Sequence, residues 1–218
     1  MEFLFLRHAE SEGNVQGIMQ GRKEYLLSEA GHRQTRLLAQ HLESNLFHVR
    51  RPDQICCSPL QRAQQTLGPW LESAGQIPFL LEPDLVEVDS GIFSGLTWAQ
   101  AREQHPEICK DFKAARDWGA VPQGESKDSL WKRAERFINL QRQQHDENAL
   151  LLVVTHGGFI RAALSILAGI KPSEKLFLCI DNTSLSLAGI QGERRYIRYI
   201  NDTRHLQTCD YQAEFAPL

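Results

Sequence analysis

Apolar residues along this chain form two kinds of segment, short continuous runs and longer periodic ones. Continuous runs occupy residues 2–6, 54–57 and 149–154, and each ends abruptly in polar residues. This pattern is typical of buried β-strands that lead into loops. The second and third runs are each followed directly by a segment with helical spacing. Strands that alternate with helices predict an α/β fold with a mostly parallel central sheet and helices on both faces.

Helical spacing of apolar residues marks four segments. Ser28 is a suitable N-cap for the first, and Pro59 suits the first turn of the second. The four predicted helices span residues 28–46, 59–73, 126–145 and 158–167.

The remaining segments are shorter or less periodic. Residues 184–188 and 195–200 alternate in polarity around Gly189 and Gly192, which predicts a hairpin or edge strands. Residues 96–125 have weak periodicity, and we expect a helical excursion over one end of the sheet. Because the sequence contains no linker, repeat or low-complexity tract, we interpret residues 1–218 as a single domain.

The overall composition narrows the class of protein. The 218 residues are 42% hydrophobic and 23% charged, with a formal net charge of −3. The apolar fraction is enough for a sizeable core, and the net charge is too small for a disordered chain or a general nucleic-acid coat. No apolar run approaches the roughly 18–20 residues of a membrane helix, and Met1-Glu2 lacks the basic start of a secretory signal. We therefore expect neither nucleic acid nor a membrane as a partner.

Five cysteines bear on the redox compartment. Cys56 and Cys57 are adjacent, whereas Cys109, Cys179 and Cys209 are isolated, and no C-x-x-C motif occurs. This spacing favours neither a disulfide framework nor a thiolate zinc site. A reducing cytoplasm fits it best.

Polar and charged residues that are capable of chemistry follow each of the three predicted strands. Arg7 and His8 follow the first strand, and Arg62 lies one helical turn after Ser58 at the end of the second. His156 follows the third and is itself followed by two glycines. A lone histidine at a strand end is usually a core residue, but ligands of α/β sheets bind where strands end. Two histidines and two arginines there would suit a tetrahedral oxyanion, because guanidinium groups and helix N-termini both donate to phosphate oxygens.

The motifs around these residues resemble the histidine phosphatase superfamily, in its phosphoglycerate-mutase-like branch of broad-specificity phosphatases. Arg7-His8-Ala9-Glu10-Ser11 begins a segment similar to the R-H-G-E-[ST]-x-x-N signature. Further similar motifs follow in family order at residues 58–66, 85–95, 122–126, 154–158 and 201–206. The resemblance covers nearly the whole chain and implies a phosphoglycerate-mutase-like fold.

The resemblance implies roles for individual residues. His8 would attack phosphorus and form a phosphohistidine, for which it must be neutral. Arg7, Arg62 and His156 would hold the phosphoryl oxygens and stabilise charge in transfer. Asn14 would add a neutral donor. No cofactor and no metal is implied, and many relatives form homodimers.

The reaction also needs a carboxyl group that acts as general acid and then as general base. Glu87 would protonate the departing alkoxide and then activate the water that hydrolyses the phosphohistidine. Asp89 is its rival, but the family spacing favours Glu87. Gln20, Gly21 and Gly157 are the remaining candidates for contact with the phosphate.

Two departures from the family pattern affect the expected site. Ala9 replaces the usual glycine after the nucleophile, which is tolerable only at negative φ in a pocket with slack. In the loop at residues 20–28, Glu24 stands for the usual Asp and Leu26 for the usual Pro. The loop often shapes the substrate entrance, so the substrate is not predicted from it.

Several functions remain open at this point. We favour hydrolysis of a small phosphorylated metabolite over a phosphoglycerate mutase with intramolecular or primer-dependent transfer, because residues 90–97 lack the Asn-Lys pair of primer-dependent mutases. The two histidines with Glu87 and Asp89 could form the site of a metal-dependent hydrolase, but the neighbouring arginines would oppose a divalent cation. A non-catalytic phospholigand-binding protein is a third possibility, against which the complete set of predicted catalytic residues argues.

Residues 96–125 should roof the site, and their aromatic and basic side chains either contact substrate or pack the excursion onto the sheet. We favour packing. These side chains are Trp98, Arg102, Phe112, Lys113, Arg116 and Trp118. Arg22 and Lys23 are hypothetical contacts for an additional anionic group. Of the other histidines we expect a structural role for His205 and solvent exposure for His32, His41, His48, His105 and His145.

Overall fold

A six-stranded mixed sheet lies at the centre of the molecule, in a computed structural model that describes residues 1–75, 77–171 and 177–207. The first four strands are parallel, β5 is antiparallel to β1, and β6 is antiparallel to β5. Their order is β3-β2-β4-β1-β5-β6. The strands are β1 (Glu2–Arg7), β2 (Gln54–Cys57), β3 (Leu80–Leu81), β4 (Leu150–Thr155), β5 (Leu185–Gln191) and β6 (Arg194–Asp202). The mostly parallel sheet and the C-terminal hairpin are both confirmed.

Helices cover both faces of the sheet. They are α1 (Glu12–Val15), α2 (Glu29–His41), α3 (Gln61–Ala74), α4 (Trp98–Gln104), α5 (Pro106–Ala115), α6 (Lys127–Gln144) and α7 (Gly157–Ala168). Short 3₁₀ turns lie at Pro83–Leu85, Gly91–Phe93, Trp118–Ala120 and Arg204–Leu206. Ser28 caps α2 and Ser126 caps α6, each by accepting a backbone N–H with its hydroxyl oxygen.

The two faces of the sheet support two hydrophobic cores. Successive residues of β1 and β4 alternate between them, because neighbouring strand side chains point to opposite faces. Phe3, Phe5, Leu151 and Val153 pack with α6 and α7, whereas Leu4, Leu6, Leu152 and Val154 pack with α2 and α3. Burial on both sides explains why these strands are continuous apolar runs.

Three local predictions need correction. Helix α3 begins at Gln61 rather than at Pro59, because Leu60 is still extended (φ −70°, ψ 133°) as the N-cap. The predicted helix at residues 28–46 is α-helical only to His41 and ends in a π-turn, Leu42–Leu46. Gly189 lies inside β5, where a Cβ would come within 2.6 Å of the Tyr196 ring, and the hairpin turns at Gly192 (φ +57°).

The excursion at residues 96–125 has its own small core. Phe93, Ala101, Cys109 and Val121 are buried at its centre. Isolated β-bridges join it to the rest of the chain, from Ile18 to Thr97 and from Ser90 to Gly124.

None of the helices in the described ranges is both long and apolar enough to cross a bilayer. Four cysteines are free thiols, of which Cys56, Cys57 and Cys109 are buried and Cys179 is exposed. Cys209 lies outside the described residues.

Candidate active site

The carboxyl ends of β1, β2 and β4 bring the predicted residues to one edge of the sheet. Arg7 pairs with Thr155 in register, and the backbone N–H of His8 donates to Thr155 O at 2.9 Å. The backbone N–H of Ser58 donates to Val154 O at 2.9 Å. The rings of His8 and His156 consequently lie 5.1 Å apart, centroid to centroid.

His8 is held as a neutral base with one free ring nitrogen. Its Nδ1 lies 2.7 Å from the carbonyl oxygen of Ala9. A carbonyl can only accept, so Nδ1 carries the proton and Nε2 keeps its lone pair. The side chain is 3% exposed. Burial, reinforced by the charges of Arg7 and Arg62, holds the pKa of His8 well below its usual value.

His156 is fully buried at the start of α7 and faces its hydrogen-bond partner with one nitrogen only. Its Nε2 lies 2.7 Å from Ser58 Oγ, whereas Nδ1 has no partner in the described part of the chain. Burial, then the charges of Arg62, His8 and Arg7, keep the pKa of His156 well below its usual value. When the Ser58 hydroxyl donates to Nε2, the ring proton lies on Nδ1, which is then a donor without a partner among the described residues.

Two arginines complete the charge of the site. Arg62 is 1% exposed and donates through Nη1 to Lys23 O and through Nη2 to Gly21 O, both at 2.9 Å. Arg7 donates through Nη1 to Ile180 O at 2.5 Å. Burial lowers the pKa of Arg7 to about 10, so the guanidinium stays charged at neutral pH.

Three buried donors at this edge have no acceptor among the described residues. They are Arg7 Nε, Arg62 Nε and His156 Nδ1. A buried unpaired donor is costly, and most buried polar atoms in proteins are paired. Three such donors beside a free imidazole nitrogen suit an oxyanion that would accept from all of them.

Glu87 lies against the N-terminus of α7. Its Oε1 accepts from the backbone N–H of Val88 at 2.8 Å and from that of Gly158 at 3.0 Å. A Cβ at position 158 would be 2.2 Å from that oxygen, so glycine is needed for the contact. Asp89, the rival carboxylate, instead accepts from the backbone N–H of Gly91 at 2.9 Å and faces Arg22 at 3.9 Å. This geometry favours Glu87 for the acid–base role.

The family is decided by the match along the sequence. Residues 3–203 match the histidine phosphatase superfamily, branch 1. The chain belongs to this superfamily. Its predicted family is thereby confirmed, and relatives named as phosphatases together with a solved structure of the same fold confirm the predicted enzyme class and fold class.

Individual relatives of this histidine phosphatase span most of its length. It is 34% identical to phosphoserine phosphatase 1 of Hydrogenobacter thermophilus over 212 residues, which cover 94% of each chain. It is 30% identical to phosphoglycerate mutase-like protein 4 of Arabidopsis thaliana over 96% of this chain and 89% of the relative. Among solved structures, a putative α-ribazole-5′-P phosphatase from Escherichia coli superposes with a TM-score of 0.81 at 25% identity, covering 93% of this chain and 97% of the other.

The structure shows the surroundings of the four other residues predicted to contact phosphate, Asn14, Gln20, Gly21 and Gly157. Asn14 Oδ1 accepts from the backbone N–H and the hydroxyl of Ser11, and Gln20 Oε1 also accepts from that hydroxyl, at 2.9 Å. The carbonyl of Gly21 holds Arg62, as described above, and Gly21 has a φ of +51°. Gly157 lies beside Arg7 Nε, which is 3.6 Å from where a Cβ would be. The oxygens of the first two therefore hold the loop, and direct contact with phosphate remains a prediction for all four.

Both departures from the family pattern fit the structure. The φ of Ala9 is not positive, and its backbone N–H donates to Thr66 Oγ1 at 2.9 Å. Glu24 accepts from the backbone N–H of Gln61 at 3.0 Å, at the start of α3, where a negative charge is favourable. Leu26 is 51% exposed. The altered loop is thus tied to the helix that carries Arg62.

An ion network secures the backbone around Glu87. Arg133 donates through Nε and Nη2 to the two carboxylate oxygens of Glu125, at 3.0 and 2.7 Å. Its Nη1 donates to the carbonyls of Val86, at 2.8 Å, and Asp84. Arg22 pairs with Glu125 at 3.1 Å and donates through Nε to the Glu87 carbonyl at 3.3 Å. Arg22 is therefore already bound to carboxylates, which weakens its hypothetical role as an anion contact.

Three residues at the site were not predicted from the sequence. Asn182 Nδ2 donates to the carbonyl of His8 at 2.9 Å, and the backbone N–H of Thr183 donates to that of Arg7 at 3.1 Å. No motif pointed to this pair. Arg161 lies near Arg7 and follows Gly157 by four residues, so helical periodicity from the second histidine could have found it.

The aromatic residues of the excursion pack on one another. The Phe112 and Trp118 rings are 4.5 Å apart, and both Trp98 and Trp118 meet Phe93 edge to face. Lys113 lies 6.0 Å from the Trp98 ring, while Arg102 and Arg116 are exposed. The packing interpretation agrees with these contacts.

The predicted exposure of five histidines is only partly correct. His32 and His48 are exposed, whereas His41, His105 and His145 are partly buried. His105 stacks on Phe93 at 6.0 Å, which the sequence pattern did not indicate. His205 is buried, and its Nε2 lies 3.0 Å from Thr183 Oγ1, as befits a structural residue.

Proposed function

We propose that this histidine phosphatase hydrolyses small phosphomonoesters through a phosphohistidine on His8. The observation that carries the proposal is the free Nε2 of a neutral, buried histidine beside three buried donors that lack an acceptor. Cations there neutralise a phosphate dianion that would otherwise repel the nucleophile.

The first half-reaction transfers the phosphoryl group to the protein. His8 Nε2 forms a bond to phosphorus as the bond to the ester oxygen breaks. Arg7, Arg62 and His156 donate to the phosphoryl oxygens while charge moves onto the leaving oxygen. Glu87 gives its proton to that oxygen, and the alcohol leaves neutral.

The second half-reaction releases phosphate. Glu87, now a carboxylate, takes a proton from water as the water oxygen bonds to phosphorus. The bond between phosphorus and Nε2 breaks, so His8 returns to its neutral form and Glu87 to its acid form. Ser58, Asn182 and the Arg133–Glu125 pair act by positioning these groups.

Transfer to water must be distinguished from transfer to a second hydroxyl, since one relative is phosphoglycerate mutase-like. The absence of the Asn-Lys pair in residues 90–97 supports hydrolysis. We expect 3-phosphoglycerate to release phosphate with or without a bisphosphoglycerate primer. Primer-dependent interconversion faster than phosphate release would overturn the hydrolase proposal.

The substrate is a small phosphorylated metabolite. The relatives named as phosphoserine and α-ribazole phosphatases make those two phosphomonoesters the first compounds to test. A panel of monophosphates assayed with the pure protein, in parallel with Glu87→Gln, identifies turnover that depends on this site. The same assay with a chelator tests metal independence, and activity that is lost and then restored by metal would contradict it.

We propose the cellular compartment from the cysteines and the domain organisation from the sheet. Among the described residues four cysteines are free thiols, three of them buried, which favours a reducing cytoplasm. Residues 1–218 would form one catalytic domain, because a single sheet carries the whole site. Subcellular fractionation tests the cytoplasmic location. The mass in solution tests whether the protein forms the homodimer expected from its relatives.

A further inference from the structure

Arg161 is a third arginine beside the phosphoryl site that the mechanism above does not use. It lies in the second turn of α7 and is partly buried. A Cβ at Gly157 would lie 3.5 Å from both terminal nitrogens of Arg161 and 3.6 Å from Arg7 Nε. The two guanidinium groups therefore border the same point at the start of the helix.

The guanidinium of Arg161 has no hydrogen bond or ion pair with any residue in the ranges 1–75, 77–171 and 177–207. It lies instead over the ring of Phe177, 4.9 Å from the centroid. Phe177 is 60% exposed, so this contact lies at the protein surface. The cation thus lies on an aromatic face, while its N–H donors have no partner among the described residues.

The charges around Arg161 leave room for another anion. The charge of Arg161 disfavours the charged form of Arg7, and Glu87 is the acidic group that most favours the charged form of both arginines. Asp181, which Arg7 also senses, is exposed and hydrogen-bonded to Asn201. When Glu87 holds the proton that it will donate, the arginines at 7, 62 and 161 carry three positive charges. A phosphoryl dianion balances two of them.

We propose that Arg161 determines specificity by binding a carboxylate on the leaving group. The substrate class would be small phosphomonoesters whose alcohol carries a carboxylate close to the ester carbon. A guanidinium offers a planar fork that matches a carboxylate, and the Phe177 ring holds that fork in place. The inference rests on the proposed hydrolase function of the same site.

O-phosphoserine and O-phosphoethanolamine make a matched pair for the test, because they differ only in the carboxylate. The wild-type protein should prefer phosphoserine in kcat/KM. Arg161→Gln should raise KM for phosphoserine by about 10- to 100-fold and leave phosphoethanolamine and p-nitrophenyl phosphate nearly unchanged. Arg142→Gln, an exposed arginine in the last turn of α6, is the control and should change neither substrate.

Three outcomes would overturn the inference. They are a wild type without preference for phosphoserine, an Arg161→Gln variant that loses kcat equally on all three substrates, and one that keeps the preference. Equal loss would indicate that Arg161 positions Glu87. If Arg161→Gln does not fold, Arg161→Lys takes its place in the test. It keeps the positive charge without the planar fork, so we expect a partial loss of the preference for phosphoserine. A wild type that hydrolyses none of the compounds contradicts the proposed function itself.

Discussion

The strand-end site and the excursion at residues 96–125 are built in opposite ways. The site joins residues far apart in sequence, as in the 2.7 Å contact of Ser58 with His156 and the 2.9 Å contact of Arg62 with Gly21. The excursion is held mainly by local contacts, such as the Phe112–Trp118 ring pair. The difference indicates that the sheet positions the catalytic groups, whereas the excursion is a separately packed unit beside them.

The largest expected effect comes from removing the nucleophile. His8→Ala should lower kcat/KM for p-nitrophenyl phosphate by about 10⁴-fold or more, because no other group would form the covalent intermediate. Trp118→Leu in the excursion is the comparison and should keep most of the activity. Similar losses in both variants would remove the distinction between the two regions.

The next effect tests whether the site needs a guanidinium or only a positive charge. Arg62→Lys should lower kcat by about 10²- to 10³-fold, since a lysine ammonium lacks the fork that donates to phosphate and to two loop carbonyls. Steady-state kinetics with p-nitrophenyl phosphate measures it. Full activity in this variant would show that charge alone suffices.

The buried ion pair between Glu125, at the end of the excursion, and Arg133 links the two regions, and we expect it to matter for stability. Glu125→Gln breaks the buried pair with Arg133 and should lower the free energy of unfolding by about 3–5 kcal/mol, because it leaves a buried cation unpaired. Urea unfolding measures this. The matched control is Arg136→Gln on the same helix, because Arg136 is exposed where it pairs with the partly buried Asp84, and the expected loss is below about 1 kcal/mol. Equal losses of unfolding free energy in the two variants would contradict the special role of the Glu125–Arg133 pair.

The smallest effect is a pH dependence carried by the site. His8 and His156 have pKa values below their usual range because they are buried beside arginines. The unfolded chain therefore binds protons that the folded chain does not, and the free energy of unfolding should fall as pH drops below about 6.5. His156→Asn should reduce the slope by up to about 1.4 kcal/mol per pH unit. His32→Asn, at an exposed position on α2, should keep the wild-type slope, and an unchanged slope in His156→Asn would refute the assignment.

Much of the site's framework could be predicted from the sequence. Continuous apolar runs locate buried strands, and the residues after them must share one edge of a parallel sheet. The pattern therefore predicts that Arg7, His8, Arg62 and His156 lie close together. Ser28 and Ser126 likewise marked true helix starts.

The rest depends on contacts that leave no local pattern. Asn182 reaches the His8 carbonyl across most of the chain length, and His105 is covered by Phe93 only after the excursion folds. Helix α3 starts late because Leu60 is still extended as its N-cap, two residues after Ser58 contacts His156. Tertiary contacts decide such details, and propensity does not.

Trapping the phosphoenzyme tests the central claim most directly. Glu87→Gln should slow hydrolysis of the intermediate, while p-nitrophenyl phosphate, whose leaving group needs little protonation, still phosphorylates the protein. After rapid quenching under conditions that preserve phosphohistidine, mass spectrometry should find the phosphoryl group on His8, and none in Glu87→Gln that also carries His8→Ala. A phosphoryl group on another residue, or turnover that persists without His8, would contradict the mechanism.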